Sequence, residues 1–292
     1  MPKRTYTKQV KSLSLQDFLR RFPTDEACLK HLMDLRFGTE PACPKCGEIG
    51  KFRKLAKHPA YTCNCGHHIH PMEGTFFKDT HVPLGKWFYA IYLFTTTRHG
   101  VSAKELERQL GVSYPTAFRM AQLIRVHMAK VDGDPPLSGH VEADETYVGG
   151  RAHGKTGRGA AHKTVVFGML ERGGDVMTRV VPNASERALE PHIVLNVEKG
   201  STISTDEWGA YHRLSRIGFT HGTCNHGQER YASGIHHTNS IEGFWSMLKR
   251  SIRGTHVHVS AKHLAKYLGE FEYRYNLRHD PKLMFWRLVE SF

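Results

Sequence analysis

No stretch of this 292-residue chain approaches the roughly 20 consecutive apolar residues that a membrane-spanning helix needs, so no membrane partner is expected. The start, Met1 to Leu15, is basic and polar and lacks the apolar core of a secretory signal, which makes the cytoplasm the expected compartment. Cysteine is sparse, six residues in all, and in a reducing compartment such residues serve as metal ligands or buried thiols more readily than as disulfides. Acid is the minority charge: 28 Asp and Glu face 41 Lys and Arg, a net charge of +13. That balance points to a polyanionic partner, with nucleic acid the natural one. A ribosome-associated protein would carry similar charge, so the motifs must decide. Internal repeats and low-complexity tracts are also missing, which excludes a repeat array.

What is present suits a globular protein. Hydrophobic residues make up 39% of the chain, enough for a main domain of about 150 residues or more with one or two small modules. Ser14 to Asp34 has helical spacing of Leu15, Phe18, Leu19, Phe22, Leu29, Leu32 and Met33, with a turn at Pro23-Thr24. Residues 74 to 130 read as helical, with a strongly apolar run from Trp87 to Phe94. Asp132-Gly133-Asp134-Pro135-Pro136 breaks the pattern and marks a candidate domain boundary. Beyond it, Gly139 to Val148, Thr164 to Leu170 and Asp175 to Val181 read as strands, followed by a helix from Ser185 to Val197 and a β-branched strand ending at Asp206. Helical patterns return at Asn239 to Arg253 and Ala261 to Asn276. Strands first and then alternating helix and strand predict an α/β domain with a mixed sheet.

Cys43-Pro-Lys-Cys46-Gly47 and Cys63-Asn-Cys65-Gly66 are two thiol knuckles with 16 residues between Cys46 and Cys63, close to the spacing of a four-cysteine structural zinc site. Two thiolates three residues apart can chelate one ion from a tight turn. The second knuckle has one intervening residue where two are usual, leaving Cys65, His67 and His68 as candidates for the fourth ligand. Cys28 and Cys224 read as small core residues, with His221, Cys224 and His226 a weaker metal candidate. From Val101 to Met128, Leu106 and Leu110 face inward, Gly111-Val112-Ser113 forms a turn, and Ser113 and Pro115 open a second helix. This resembles a helix-turn-helix whose second helix would offer Tyr114, Thr116, Arg119 and Gln122 to DNA, although a plain helical hairpin has the same pattern.

Three acids, Glu142, Asp144 and Glu145, interrupt a segment otherwise patterned as a strand. Asp and Glu are poor strand formers, and metal coordination would compensate; an edge strand with charges in water is the alternative. Asp206 ends the next clear strand, where either a ligand or a helix cap fits. Glu242 is the only acid between His236 and His263, in a helix that carries Lys249, Arg250 and Arg253. Asn239, Glu242, Ser246, Lys249 and Arg253 recur at spacings of three or four and so share one face, with Ile241, Phe244, Trp245 and Leu248 on the adjacent one. A metal-type ligand followed by cations suits phosphates. The basic, glycine-rich stretch Arg151 to Lys163, with Lys155 and Arg158, could follow a DNA backbone or stay solvated.

The blocks Val141-Glu-Ala-Asp144-Glu-Thr-Tyr-Val-Gly-Gly150, Asp206-Glu-Trp-Gly-Ala-Tyr211 and His237-Thr-Asn239-Ser-Ile-Glu242-Gly-Phe-Trp-Ser-Met-Leu-Lys249-Arg250 together resemble a bacterial insertion-sequence transposase. The branch is the one that joins an N-terminal zinc ribbon to an RNase H-like DDE domain, in which Asn can replace the third acid and a Lys follows. Gly74 to Trp87 resembles the segment after that ribbon, so the likeness covers nearly the whole chain. It implies an N-terminal helical segment (1–40), a zinc ribbon (41–75), a helix-turn-helix-like DNA-binding region (76–132) and an RNase H-like catalytic domain of α/β class (137–292). By the same likeness Asp144 lies on the first strand, Asp206 follows the fourth, and Asn239 or Glu242 sits on the next helix. Thirty-five residues separate Asp206 from Glu242 and 32 separate it from Asn239, so charge and spacing favour Glu242 and the Asn-bearing variant favours Asn239. The implied cofactors are Mg2+ (or Mn2+) on Asp144, Asp206 and Glu242, and structural Zn2+ on Cys43, Cys46, Cys63 and Cys65. The implied partner is DNA, met by Lys249, Arg119, Lys155, Arg158, Lys163, Arg250 and Arg253, with pairing of two element ends implying a homo-oligomer. A zinc-ribbon regulator with a decayed catalytic domain and a hydrolytic nuclease of the same fold are the rival functions.

Overall fold

The computed structural model describes residues 13–149, 163–224 and 235–292, and these cluster into two compact units. Lys155 and Arg158 lie outside the described residues. Unit 1 comprises Met1–Ile124 with His279–Phe292, and unit 2 comprises Arg125–Arg278.

Unit 1 begins with α1 (Leu15–Arg21) and α2 (Asp25–Phe37), each opened by a side-chain cap: Ser14 Oγ accepts from the Asp17 amide at 3.1 Å and Thr24 Oγ1 from the Ala27 amide at 3.2 Å. Such caps satisfy amides that the first turn leaves without helical partners. Phe18 and Phe22 are buried against Phe88 and Phe285, whereas Leu15 and Leu19 of the same helix are exposed. The ribbon follows as three two-residue antiparallel strands, β1 (Arg53–Lys54), β2 (Tyr61–Thr62) and β3 (His68–Ile69). Then come α3 (Leu84–Thr96), α4 (Ala103–Leu110) and α5 (Tyr114–Asp132). Gly111 ends α4 in the left-handed region (φ 59°), the conformation a glycine adopts without a Cβ clash, and so sets the turn into α5. Leu106 and Leu110 are buried and Tyr114 and Arg119 exposed, as expected; Gln122, expected on the DNA side, is instead buried. The last helix, α9 (Pro281–Glu290), packs with α3 and belongs to this unit, which no sequence pattern had indicated.

Unit 2 is built on one five-stranded sheet. Its strands are β4 (His140–Val148), β5 (Thr164–Glu171), β6 (Val176–Val181), β7 (Thr202–Asp206) and β8 (Thr220–Cys224), in spatial order β6-β5-β4-β7-β8. β4, β5 and β6 are antiparallel neighbours, while β7 and β8 run parallel to β4. Counted within the unit, this is order 3-2-1-4-5, the mixed α/β sheet of an RNase H-like domain. β8 was not expected: Thr-His-Gly-Thr-Cys lacks alternation and sits at the sheet edge. α6 (Glu186–Asn196) covers one face, where Val141, Ala143, Phe167 and Ile203 meet Leu189 and Ile193. α7 (Asn239–Ser251) and α8 (Ala261–Asn276) cover the other, joining Val166 and Leu170 to Ile241, Phe244, Trp245, Leu248 and Phe271. The strand period of two therefore assigns Glu142 and Asp144 to the α7 face and Glu145 to the α6 face. Between α7 and α8 the chain makes a π turn over Ile252–His256 and then holds Val257 at φ 62°, a strained setting for a β-branched residue.

Candidate active site

Each of the three acids of β4 meets a different environment. Glu145 points to the α6 layer, where its Oε2 accepts the Tyr211 hydroxyl at 2.9 Å. Glu142 is fully buried, with Arg172 Nε donating to Oε1 at 2.7 Å and the amides of Ser240 and Ile241 donating to Oε2 at 2.8 and 3.0 Å. Protein donors thus compensate Glu142 and Glu145 within the strand, and neither the metal nor the water-facing edge strand weighed for the three acids applies to these two.

Asp144 remains for the site. Its Oδ2 accepts the Trp245 indole N–H at 3.0 Å, a bond from the helix side that had been read only as apolar packing. Burial, reinforced by the negative charges of Glu145 and Asp206, pushes its carboxyl up to about 7. Glu142 pairs with Ser204 across the parallel β4–β7 ladder, so Asp144 and Asp206, two residues further along each strand, come to the same level of the sheet. Asp206 closes a turn by accepting the Trp208 amide at 3.0 Å on Oδ1, and the Trp208 indole donates to the Ala184 carbonyl at 2.7 Å.

Across from β7, the first turn of α7 presents Asn239 and Glu242, both exposed. Thr238 Oγ1 donates to Glu242 Oε1 at 2.7 Å and lies 3.7 Å from Cys224 Sγ; Cys224 in turn pairs with Asp206 across β7 and β8. Burial raises the Cys224 thiol pKa, and both Glu242 and Asp206 add to that rise, so the buried thiol feels the two carboxylates together. Cys224 is a small core residue, as expected, and the alternative metal partner His221 bonds instead to Thr205 Oγ1 at 2.9 Å. His226 lies outside the described residues.

Further along α7, Lys249 is half-buried. Burial lowers its pKa, Asp144 opposes that, and Arg253 and Lys163 reinforce it. A cavity of about 400 Å³ opens here, lined by Tyr147, Lys163, Lys249, Arg253 and Val257. Arg250 and Arg253 border a second, open concavity on the same helix. Arg119, on α5, belongs to the other unit.

In the ribbon, the sulfurs of Cys43, Cys46, Cys63 and Cys65 all lie within 4.8 Å of one another. The Cys43–Cys65 and Cys46–Cys63 separations are each 3.6 Å, close to the edge of about 3.8 Å that a tetrahedron with 2.3 Å zinc–sulfur bonds requires. Cys65 thus completes the quartet, and neither His67 nor His68 does. Both knuckles turn on a glycine, Gly47 at φ 75° and Gly66 at φ 82°, with Gly47 N–H donating to the Cys43 carbonyl and Gly66 N–H to that of Cys63. Burial raises the Cys43 thiol pKa, yet the Cys46 and Lys45 amides and neighbouring thiols bring it down to about 7, while the same clustering raises Cys46 and Cys63, so the four thiols share protons that a bound cation would displace. The residues present fit zinc.

Among the described residues this quartet is the only group of three or more His, Cys, Asp or Glu gathered so closely; Glu242 does not join Asp144 and Asp206 at that spacing. The two aspartates still fit a hard divalent cation. Their oxygens are the donor type such ions select, and a cation would offset the burial and like charge that now favour a proton on Asp144.

A mixed sheet of RNase H order with an aspartate on each of its adjoining first and fourth strands, together with a four-cysteine ribbon, defines a two-module α/β protein of a recognisable class. Residues 136–276 match the model of the ISXO2-like transposase domain, and residues 23–68 match that of the transposase zinc-ribbon domain. The chain belongs to the insertion-sequence DNA transposases that carry these two domains. It is 28% identical over 286 residues, 90% of this chain and 95% of the relative, to an uncharacterized protein in transposable element ISH50 of Halobacterium salinarum. Among solved structures it aligns with a pre-cleavage Mos1 transpososome (TM-score 0.28, 12% identity, 65% of this chain and 73% of that one). It also aligns with the Mos1 strand transfer complex (TM-score 0.26, 12% identity, 70% and 75%). Neither likeness is close enough to transfer any residue's role. Among the described residues, no helix is long and apolar enough to cross a membrane.

Proposed function

We propose that this transposase cleaves DNA at the ends of its element and joins the freed ends to target DNA, using Asp144, Asp206 and one residue of the α7 first turn to hold Mg2+ or Mn2+. The observation that carries the reading is the placement of Asp144, half-buried, at the same level of the parallel β4–β7 pair as Asp206, where burial and its neighbours' charge push its carboxyl up to about 7. A structural aspartate gains nothing from that setting; a ligand for a divalent cation does. When bound, divalent ions supply charge relief at phosphorus and an activated oxygen nucleophile.

The protein's own groups do the rest. Trp245 orients Asp144, and the Asp206 turn holds the second carboxylate at the strand end. Glu242 or Asn239 completes the donor set from α7. Lys249, whose charge burial opposes and Asp144 favours, sits on the wall of the cavity with Lys163 and Arg253, where non-bridging phosphate oxygens would be met. Water attacks first at the element end, and the released 3′-hydroxyl then attacks the target strand. Arg250 and Arg253 hold the DNA backbone, and Arg119, Tyr114 and Thr116 of α5 serve end recognition. The ribbon zinc is structural. The enzyme acts in the cytoplasm, and bringing two ends together requires at least two copies.

The test combines purified protein, Mg2+ and a plasmid bearing the element ends. Joined products are expected; cleavage without joining would make the protein a nuclease, and binding alone a regulator. Asp144→Ala should abolish both cutting and joining. Of Asn239→Ala and Glu242→Ala, the folded variant that loses Mg2+-dependent cleavage identifies the third ligand.

A further inference from the structure

We propose that Glu142 and Arg172 are positioning residues that lock the start of α7, and with it Asn239 and Glu242, onto the strand that carries Asp144. The proposal rests on the functional reading above, since it gives that lock its purpose.

A helix start is ordinarily capped by the residue just before it. Here Thr238 stands at that position and its side chain makes no capping bond. The cap comes instead from Glu142, nearly a hundred residues earlier in the chain. Its carboxylate accepts from the Ser240 amide (2.8 Å), the Ile241 amide (3.0 Å) and the Ser240 hydroxyl (3.0 Å). A local cap would stabilise the helix wherever it lay. A cap on β4, two residues from Asp144, also fixes where the helix lies relative to that aspartate.

Arg172, at the turn after β5, secures the other side. Its Nε donates to Glu142 Oε1, while its two terminal nitrogens donate to the carbonyls of Ile235 (2.7 Å) and His237 (2.9 Å). The guanidinium fork therefore holds the segment that leads into α7 by its backbone. His237 Nδ1 lies 3.1 Å from Glu142 Oε1 as well.

The network continues to the strand of the second aspartate. Arg172 contacts His140 Nδ1 (3.2 Å), His140 Nε2 bonds Ser204 Oγ (2.7 Å), and Ser204 Oγ bonds His236 Nδ1 (2.9 Å). Ser204 lies on β7 two residues before Asp206. The His236 ring rests directly over Gly222 of β8, where any side chain would collide with it. One hydrogen-bonded chain thus spans β4, β7 and the α7 start, the three elements that bear the proposed ligands.

The experiment uses zinc-loaded, full-length Glu142→Gln, Arg172→Lys and Ser240→Ala. Amide exchange at Ser240 and Ile241 reads the lock directly, and Mn2+ affinity, from the electron paramagnetic resonance of free Mn2+, reads its consequence. Faster exchange and a Kd for Mn2+ raised about 10- to 100-fold are expected, the range typical for loss of groups that orient metal ligands. The Mg2+ needed for half-maximal cleavage should rise in parallel, with the rate at saturating Mg2+ less affected and end binding unchanged. Asp144→Asn should show the opposite split, losing Mn2+ affinity while keeping amide protection. Should Glu142→Gln fail to fold, the two milder variants carry the same comparison. Folded variants with wild-type exchange or wild-type Mn2+ affinity, beside a wild type that cleaves normally, would overturn this proposal alone. A wild type that neither binds Mn2+ nor cleaves would overturn the functional reading and this proposal together.

Discussion

Replacing Asp144 with asparagine keeps the side chain's shape and its bond from Trp245 while removing the charge. The wild-type carboxyl stands at about 7 against a usual 3.8, because burial and then Glu145 and Asp206 disfavour its ionised form. A rise of about 3 units corresponds to a destabilisation of about 4 kcal/mol at most, and about half that once local relaxation and water entry are allowed. The sign follows from linkage. The folded state holds its proton more tightly than the unfolded state, so stability is lost as pH rises from about 4 and levels off above about 7. In metal-free, zinc-loaded protein, Asp144→Asn should therefore gain stability over wild type progressively across that window. Asp132 and Glu272 are also pushed up to about 7, chiefly by burial, but both proteins share them and the difference isolates Asp144. Urea unfolding from pH 5 to 8.5 measures this. Added Mg2+ should then reverse the order above pH 7 by stabilising only the wild type. A pH-independent difference, or equal Mg2+ stabilisation of both, would refute the electrostatic account of the site.

Gly168→Ala should destabilise the protein by about 1–3 kcal/mol, because a Cβ there would lie 2.5 Å from the Trp245 ring; cleavage should fall with it as the indole leaves Asp144. Near-ultraviolet circular dichroism and denaturant unfolding report both effects, and a fully stable, active variant would show that the contact is not tight. Elemental analysis should find zinc lost from Cys65→Ser and kept in His67→Ala and His68→Ala; retention in Cys65→Ser would reassign the fourth ligand. Arg253→Ala should weaken DNA binding across sequences and reduce the slope of log affinity against log salt by about 1, whereas an unchanged slope would remove Arg253 from the phosphate contacts.

Local chemistry made much of this legible in advance. The Cys43–Cys46 knuckle, the strand around Asp144, the strand ending at Asp206 and the polar face of α7 all follow from spacing within a dozen residues, where periodicity and turn chemistry act. The same information left β8 and α9 unseen, since Thr220–Cys224 lacks alternation and Pro281–Glu290 takes its place only by packing on the distant α3. Gln122 was misplaced because, three residues beyond the exposed Arg119, it lies about 60° further around α5, enough to carry it past the edge of the exposed face.

The sequence by itself determined which chemistry is on hand: four thiols, an aspartate on each of two strands, and a basic helix with one acid. Only the tertiary structure decided which groups are spent on the fold and which stand at the proposed site. Glu142, Asp144 and Glu145 are nearly equivalent as text. Pleating sends Glu145 to Tyr211, the α7 start claims Glu142, and Asp144 alone is held beside Asp206. Likewise Cys65 rather than a histidine completes the ribbon, because a glycine turn brings that sulfur to the other three. Each decision rests on burial and on partners far apart in the chain, and neither is written in local spacing.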